Sequence, residues 1–175
     1  MTLAEILNRV NTLGLDLVEI TGGEPLSQKN CPDLARLLVA NKFTVLCETN
    51  GTYPIDVLPA EVIRIVDFKC PGSGESDQVN WDNVECLVPH DEVKFVIQDR
   101  DDYEWSKGIV TKYNLQSRCK AIHFSPVFGI LEPSALAQWI MEDKVCVRLH
   151  LQIHKYIHTN AQQGTRESTG FPEST

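Results

Sequence analysis

Six short runs rich in β-branched and other apolar residues recur along the chain, near Leu17–Thr21, Phe43–Thr49, Val62–Phe68, Val93–Ile97, Ala121–Ser125 and Cys146–Gln152. At least a dozen residues separate each run from the next, too many for tight hairpins and enough for crossover connections. Strands such as Ile63-Arg64-Ile65-Val66 and Lys94-Phe95-Val96-Ile97 therefore read as members of a parallel sheet. The intervening stretches agree. Thr2 and Glu5 have capping-box spacing, Leu3, Ile6, Leu7, Val10 and Leu13 follow a helical period, and Gly14 supplies a stop. Further helices are expected at Pro32–Asn41, Asp101–Tyr113 and Pro133–Asp143, the last opening on a favoured early proline. The acidic run Asp99-Arg100-Asp101-Asp102 suits a helix start, where carboxylates complement the dipole. Only the crossover between Val62–Phe68 and Val93–Ile97 is irregular. The expected fold is α/β, a partial (β/α) barrel with a mostly parallel curled sheet, over residues 1–158. Residues 159–175 are polar and aperiodic, and are expected to form a disordered tail.

The formal net charge of −8 repels a phosphate backbone and argues against a nucleic-acid partner. No run of about 18 apolar residues is present to span a bilayer, and the N-terminal residues lack the pattern of a signal peptide. A cytoplasmic protein acting on a small molecule is expected. The six cysteines, Cys31, Cys47, Cys70, Cys86, Cys119 and Cys146, are scattered without the spacing of a disulfide framework or a zinc site. Dinucleotide, P-loop, nucleophile-elbow and zinc-protease motifs are absent from the sequence.

Ligands of parallel α/β folds bind outside the carboxyl ends of the strands, so the residues that end each run form one group. That group is polar: Thr21-Gly22-Gly23-Glu24-Pro25, Glu48-Thr49-Asn50-Gly51, Asp67-Phe68-Lys69-Cys70-Pro71-Gly72, Gln98-Asp99, Ser125-Pro126 and Gln152-Ile153-His154-Lys155. The paired glycines leave backbone N–H groups exposed, and Glu24 offers a carboxylate to an ammonium group. The same string also describes a plain strand-to-helix turn, as Asn50-Gly51 describes an ordinary turn. Lys69 to Ser76 reads equally as an anion-binding loop and as a surface loop. Gln152 and His154 share one strand face and can bond a heterocycle or simply be solvated. His123, inside an apolar run, reads as a satisfied structural histidine.

Taken in order, Ile20-Thr21-Gly22-Gly23-Glu24-Pro25, Glu48-Thr49-Asn50-Gly51-Thr52, Asp67-Phe68-Lys69-Cys70-Pro71-Gly72-Ser73-Gly74, Asp91-Glu92-Val93-Lys94-Phe95-Val96-Ile97, Phe124-Ser125-Pro126-Val127 and Gln152-Ile153-His154-Lys155 resemble one family. It is 7-carboxy-7-deazaguanine synthase of the radical S-adenosylmethionine (SAM) superfamily, and the resemblance runs from about Met1 to His158. It implies a carbon–nitrogen lyase of queuosine biosynthesis. A reduced [4Fe–4S] cluster cleaves SAM, and the resulting radical starts the ring contraction of 6-carboxy-5,6,7,8-tetrahydropterin with Mg2+ assistance. By resemblance, Gly22, Gly23 and Glu24 meet the methionyl end of SAM, with Lys69, Cys70, Pro71, Ser125, Pro126 and Val127 around its remainder. Thr21, Gln152 and His154 face the pterin, and the family implies a homodimer.

The family carries its cluster on a Cys-x3-Cys-x2-Cys loop after the first strand, followed by a threonine that contacts magnesium. Three closely spaced thiolates are needed because each holds a different iron. No two cysteines of this sequence lie within three residues of each other, and a makeshift set from Cys31 and Cys70 has no support in spacing. The resemblance places Met1 beyond that loop. The expectation is thus an N-terminally truncated domain, lacking the first strand and the cluster loop, with an open edge beside Leu17–Thr21. As it stands such a chain is expected to be inactive. Whether it is an enzyme is left open between a synthase whose start is misplaced or truncated and a non-catalytic remnant or binding module. A third reading is a metal-free α/β enzyme with Glu24, Lys69 and His154 as acid and base groups.

Overall fold

A computed structural model describes residues 1–157; the expected tail lies outside them. Helix α1 (Leu3–Thr12) starts on the expected capping box, in which Thr2 Oγ1 accepts from Glu5 N and Glu5 Oε2 accepts from Thr2 N. The chain then runs β1 (Leu17–Ile20), α2 (Cys31–Ala40), β2 (Thr44–Thr49), β3 (Ile63–Asp67), β4 (Glu92–Ile97), α3 (Arg100–Lys112), β5 (Ala121–Pro126), α4 (Pro133–Glu142) and β6 (Arg148–Leu149). All five neighbouring pairs are parallel, in the spatial order β1-β2-β3-β4-β5-β6, and the sheet is not closed. No helix among the described residues is long and apolar enough to cross a membrane.

Sequential parallel order has a physical consequence. Crossovers of one hand put every helix on the same side of the sheet, so one face is packed and the other is not. On the packed face Ala35 and Leu38 of α2 meet Val45 and Cys47, while Tyr103 of α3 and Leu136 of α4 join Val66, Phe95 and Phe124. Phe95 and Phe124 meet edge to face, with centroids 5.7 Å apart, a favoured aromatic geometry.

One expectation is adjusted and another is met. The last strand was read as Cys146–Gln152 but pairs only over Arg148–Leu149. It has one neighbour, and Val147 N and Ile153 N fold back to Val145 O and Leu151 O on either side of it. The irregular crossover before β4 contains three short 3-10 turns and no α-helix. Its buried Asn83 replaces helix packing by donating to Gly51 O and Tyr53 O while accepting from Ile55 N.

At the opposite, amino-terminal end of the strands, Asp91 is fully buried and gathers four donors: Arg64 N, Arg64 Nε, Arg64 Nη2 and Val88 N. Arg64 also donates to Cys86 O at 2.9 Å. A buried ion pair with this many hydrogen bonds costs little to keep and much to halve. Asp91→Ala is expected to lower unfolding stability by about 3–5 kcal/mol in urea denaturation; a loss under about 1 kcal/mol would contradict this placement.

Candidate functional site

Side chains alternate across a strand. The alternation that sends Val18, Cys47, Phe95 and Phe124 into the helix-covered core sends Glu19, Glu48, Glu92, Lys94 and His123 onto the other face. With residues 150–154 they line a cavity of about 360 Å³. Five strand spacings of about 4.8 Å would hold the edges of a flat sheet about 24 Å apart. Residues of β1 and of the segment after β6 nevertheless line this one cavity, so the sheet curls around it.

The charges inside are paired. Lys94 Nζ donates to Glu48 Oε1 at 2.7 Å, and His123 Nε2 meets Glu92 Oε2 at 2.7 Å. Loss of solvent and the neighbouring Glu48 push the Glu19 carboxyl above the ordinary glutamate value. Loss of solvent, then His123 and Lys94, hold His150 below the ordinary histidine value, and its ring lies 5.4 Å from that of His123.

The rim lies above this cavity, at the carboxyl ends of the strands. Gly22 and Gly23 have φ of 97° and 53°, and nothing lies within 4 Å of where either would carry a side chain. The turn thus takes a left-handed path that favours glycine and leaves open space against the backbone. Glu24 faces inward. Its Oε1 accepts from Leu26 N at 2.9 Å and from Thr49 Oγ1 at 2.7 Å, and its Oε2 accepts from Asn50 N at 2.7 Å. The carboxylate ties the end of β1 to the end of β2. Farther along, Asp67, Lys69, Cys70, Ser73, Gln98, Asp102, Val127 and Gln152 surround a second cavity of about 190 Å³.

The rim residues are not all brought together. Gln152 lines both cavities and His154 lines the larger. Lys69 and Val127 line the smaller, and Lys69 Nζ donates to Asp67 Oδ2 at 2.7 Å. Ser125 and Pro126 are buried on β5. Cys70 reaches the smaller cavity, but its side chain belongs to the core. Thr21 and Gly22 border a different groove, between α1 and the start of α2. Reading only the strand ends included Glu48 but overlooked Glu19, Glu92 and Lys94. Their signal was a charged residue at alternate positions inside β-rich runs. His123 is not fully satisfied as expected, because its Nδ1 has no partner. Three other buried side-chain atoms of the described residues share that condition: Asp67 Oδ1, Ser125 Oγ and Gln152 Oε1.

The described thiols do not fit an iron–sulfur cluster. Burial pushes the Cys47 and Cys70 thiols up to about 12 and the Cys119 thiol up to about 11, and also raises Cys31, and the six cysteines stand far apart in sequence, whereas a cluster is held by a closely spaced set of three thiolates. Among the described residues no three His, Cys, Asp or Glu side chains are placed to hold a metal ion.

A 7-carboxy-7-deazaguanine synthase of Koribacter versatilis is 43% identical over 162 residues, covering 85% of this chain and 71% of the relative. The chain belongs to the 7-carboxy-7-deazaguanine synthase family. The synthase of Chlorobaculum tepidum is 38% identical over 160 residues, covering 90% and 72%. No protein-family model matches. The fold is similar to Streptococcus suis SuiB bound to S-adenosylmethionine, with a TM-score of 0.60 at 14% identity over 85% of this chain. A SuiB structure bound to precursor peptide SuiA also has a TM-score of 0.60, at 12% identity. This chain spans less than half the length of SuiB, 42% and 45% in the two structures.

Two measurements check this geometry. Glu24→Gln replaces one carboxylate oxygen by an amide group that cannot accept, and is expected to cost about 1–3 kcal/mol of stability; an unchanged urea midpoint would contradict the tie between β1 and β2. In a proton NMR titration His150 is expected to have a midpoint below 6.5. A midpoint at or above that value would contradict its desolvated place beside His123.

Proposed function

We propose that these residues form the SAM- and pterin-binding part of a synthase that converts 6-carboxy-5,6,7,8-tetrahydropterin to 7-carboxy-7-deazaguanine. The observation that carries this reading is the set of four partnerless buried atoms, Asp67 Oδ1, His123 Nδ1, Ser125 Oγ and Gln152 Oε1. Buried polar atoms are normally satisfied, and these four come from strands or strand ends around one concave face. In a neutral His123 that donates Nε2–H to Glu92, Nδ1 is an acceptor, like the Asp67 and Gln152 oxygens, while Ser125 can donate or accept. A heterocycle bearing amine, ring N–H and carbonyl groups answers such a set. Gln152 and His154 are the residues assigned to it, with Thr21 at the outer rim.

For SAM, the open space beside Gly22 and Gly23 suits its methionyl end, with Lys69 as a counter-charge for its carboxylate. The loop at Cys70 and Pro71, and Ser125 to Val127, enclose the remainder. Glu24 is assigned to the methionyl end of SAM, and its carboxylate also holds the rim. SAM bound there would supply the radical chemistry that begins the ring contraction, given a cluster from outside these residues to reduce it. The residues of this chain bind, orient and exclude water. Among the described residues no side chains are placed together to hold a metal ion, and no step is assigned to the thiols.

The 175-residue chain is expected to bind SAM saturably by calorimetry and to quench the fluorescence of 6-carboxypterin, a stable analogue of the substrate. Gln152→Leu is expected to weaken 6-carboxypterin binding about tenfold, as loss of a buried hydrogen-bonding group does. Anaerobic treatment with iron and sulfide is expected to give no [4Fe–4S] absorbance. Absence of both ligands from the protein, or a cluster formed on these cysteines, would overturn the reading.

A further inference from the structure

The start of the irregular segment between β3 and β4 is pinned by one residue to which no role has been assigned. Asp102, on the first turn of α3, is 2% exposed. Its Oδ1 accepts from Gly72 N at 2.8 Å and its Oδ2 from Gln98 N at 3.2 Å. Asp102 N in turn donates to Asp99 Oδ1, the cap of the helix, at 2.9 Å. The carboxylate is thus bound on one side to the loop after β3 and on the other to the end of β4. A second contact runs parallel to it. Ser106 Oγ donates to Asp102 O at 2.7 Å, which leaves the Cys70 thiol as the donor in its 3.4 Å contact with Ser106 Oγ.

Residues 70–73 close into a tight turn, with Ser73 N and Ser73 Oγ both donating to Cys70 O. Position 72 has no room for a side chain: a Cβ there would come within 2.6 Å of Asp102 Oδ2 and 2.7 Å of the Gln98 amide. Glycine at position 72 and aspartate at position 102 are therefore two halves of one close approach. Between this turn and β3 lies Lys69, a cationic wall of the smaller cavity, held by Asp67.

From this geometry we infer that Asp102 is the positioning residue that fixes the Lys69-bearing loop against α3, in the arrangement that receives the carboxylate end of SAM. The inference rests on the cofactor reading above but makes a separate claim. Asp102 touches no ligand; it acts through the Gly72 amide and the placement of Lys69. A buried carboxylate suits this because a charged acceptor bonds amides more strongly than a neutral one and has two oxygens for two segments.

The test uses the 175-residue chain with SAM as the probe, in the wild type and in Asp102→Asn, Gly72→Ala, Lys69→Met and the Asp102→Asn/Lys69→Met double variant. Calorimetry measures affinity, and hydrogen–deuterium exchange follows the amides of residues 69–74. Asp102→Asn is expected to raise exchange in that loop about tenfold or more while the strands around Arg64 and Asp91 keep wild-type protection. It is expected to weaken SAM binding about tenfold. In the Lys69→Met background the further loss should be under about threefold, because a residue acting through Lys69 has less left to lose. Gly72→Ala perturbs the same contact from the loop side and should reproduce both effects, which keeps the test decisive if Asp102→Asn fails to fold. Unchanged loop exchange, SAM affinity within twofold of wild type, or an equal loss in both Lys69 backgrounds overturns the positioning role. A wild-type protein that binds no SAM overturns the cofactor reading, while the exchange measurement still decides whether Asp102 holds the loop.

Discussion

The structure depends on one topological constraint, the sequential parallel order of six strands. Crossovers of a single hand place all helices on one face, so the core has one side and the opposite face must be tolerated or used. Here it is used. The sheet curls, and its uncovered face carries Glu48, Lys94, Glu92 and His123 in pairs. Curling brings β1 and the segment after β6 to one cavity although they are the two edges of the sheet.

Two carboxylates then organise the rim from within. Glu24 gathers Leu26 N, Thr49 Oγ1 and Asn50 N, and Asp102 gathers Gly72 N and Gln98 N. Each joins two segments distant in sequence, and each stands beside glycines that leave the backbone accessible or closely packed. The amino-terminal ends of β3 and β4 are fastened by the same device, the Arg64–Asp91 pair. Division of labour follows the strand direction: fastening alone at one end, fastening plus open polar space at the other.

Much of this was legible in the sequence, for physical reasons that differ by element. The capping box of α1 and the early proline of α4 are local signals read by the chain within a few residues, and β1 to β5 are continuous β-rich runs. β6 was overextended because a one-sided strand is limited by its neighbour, which no local pattern records. The strand-end motifs identified the rim, yet local pattern could not show that Glu24 turns inward to Thr49, 25 residues away, or that Thr21 borders a groove apart from Gln152. The mid-strand charges were visible as interruptions of apolar runs. Their meaning came from the curl, which makes the uncovered face an interior.

The central claim is that the carboxyl-end rim and the concave face beneath it form one ligand-binding surface. Amide chemical-shift mapping of the isotopically labelled protein titrated with SAM and then with 6-carboxypterin tests it most directly. Shifts confined to Gly22 and Gly23, the 69–73 loop, Ser125 to Val127 and residues 150–154, with the second ligand adding to the first, are the predicted result. Shifts concentrated on the helix-covered face, or no shifts at the rim with either ligand, would contradict the account.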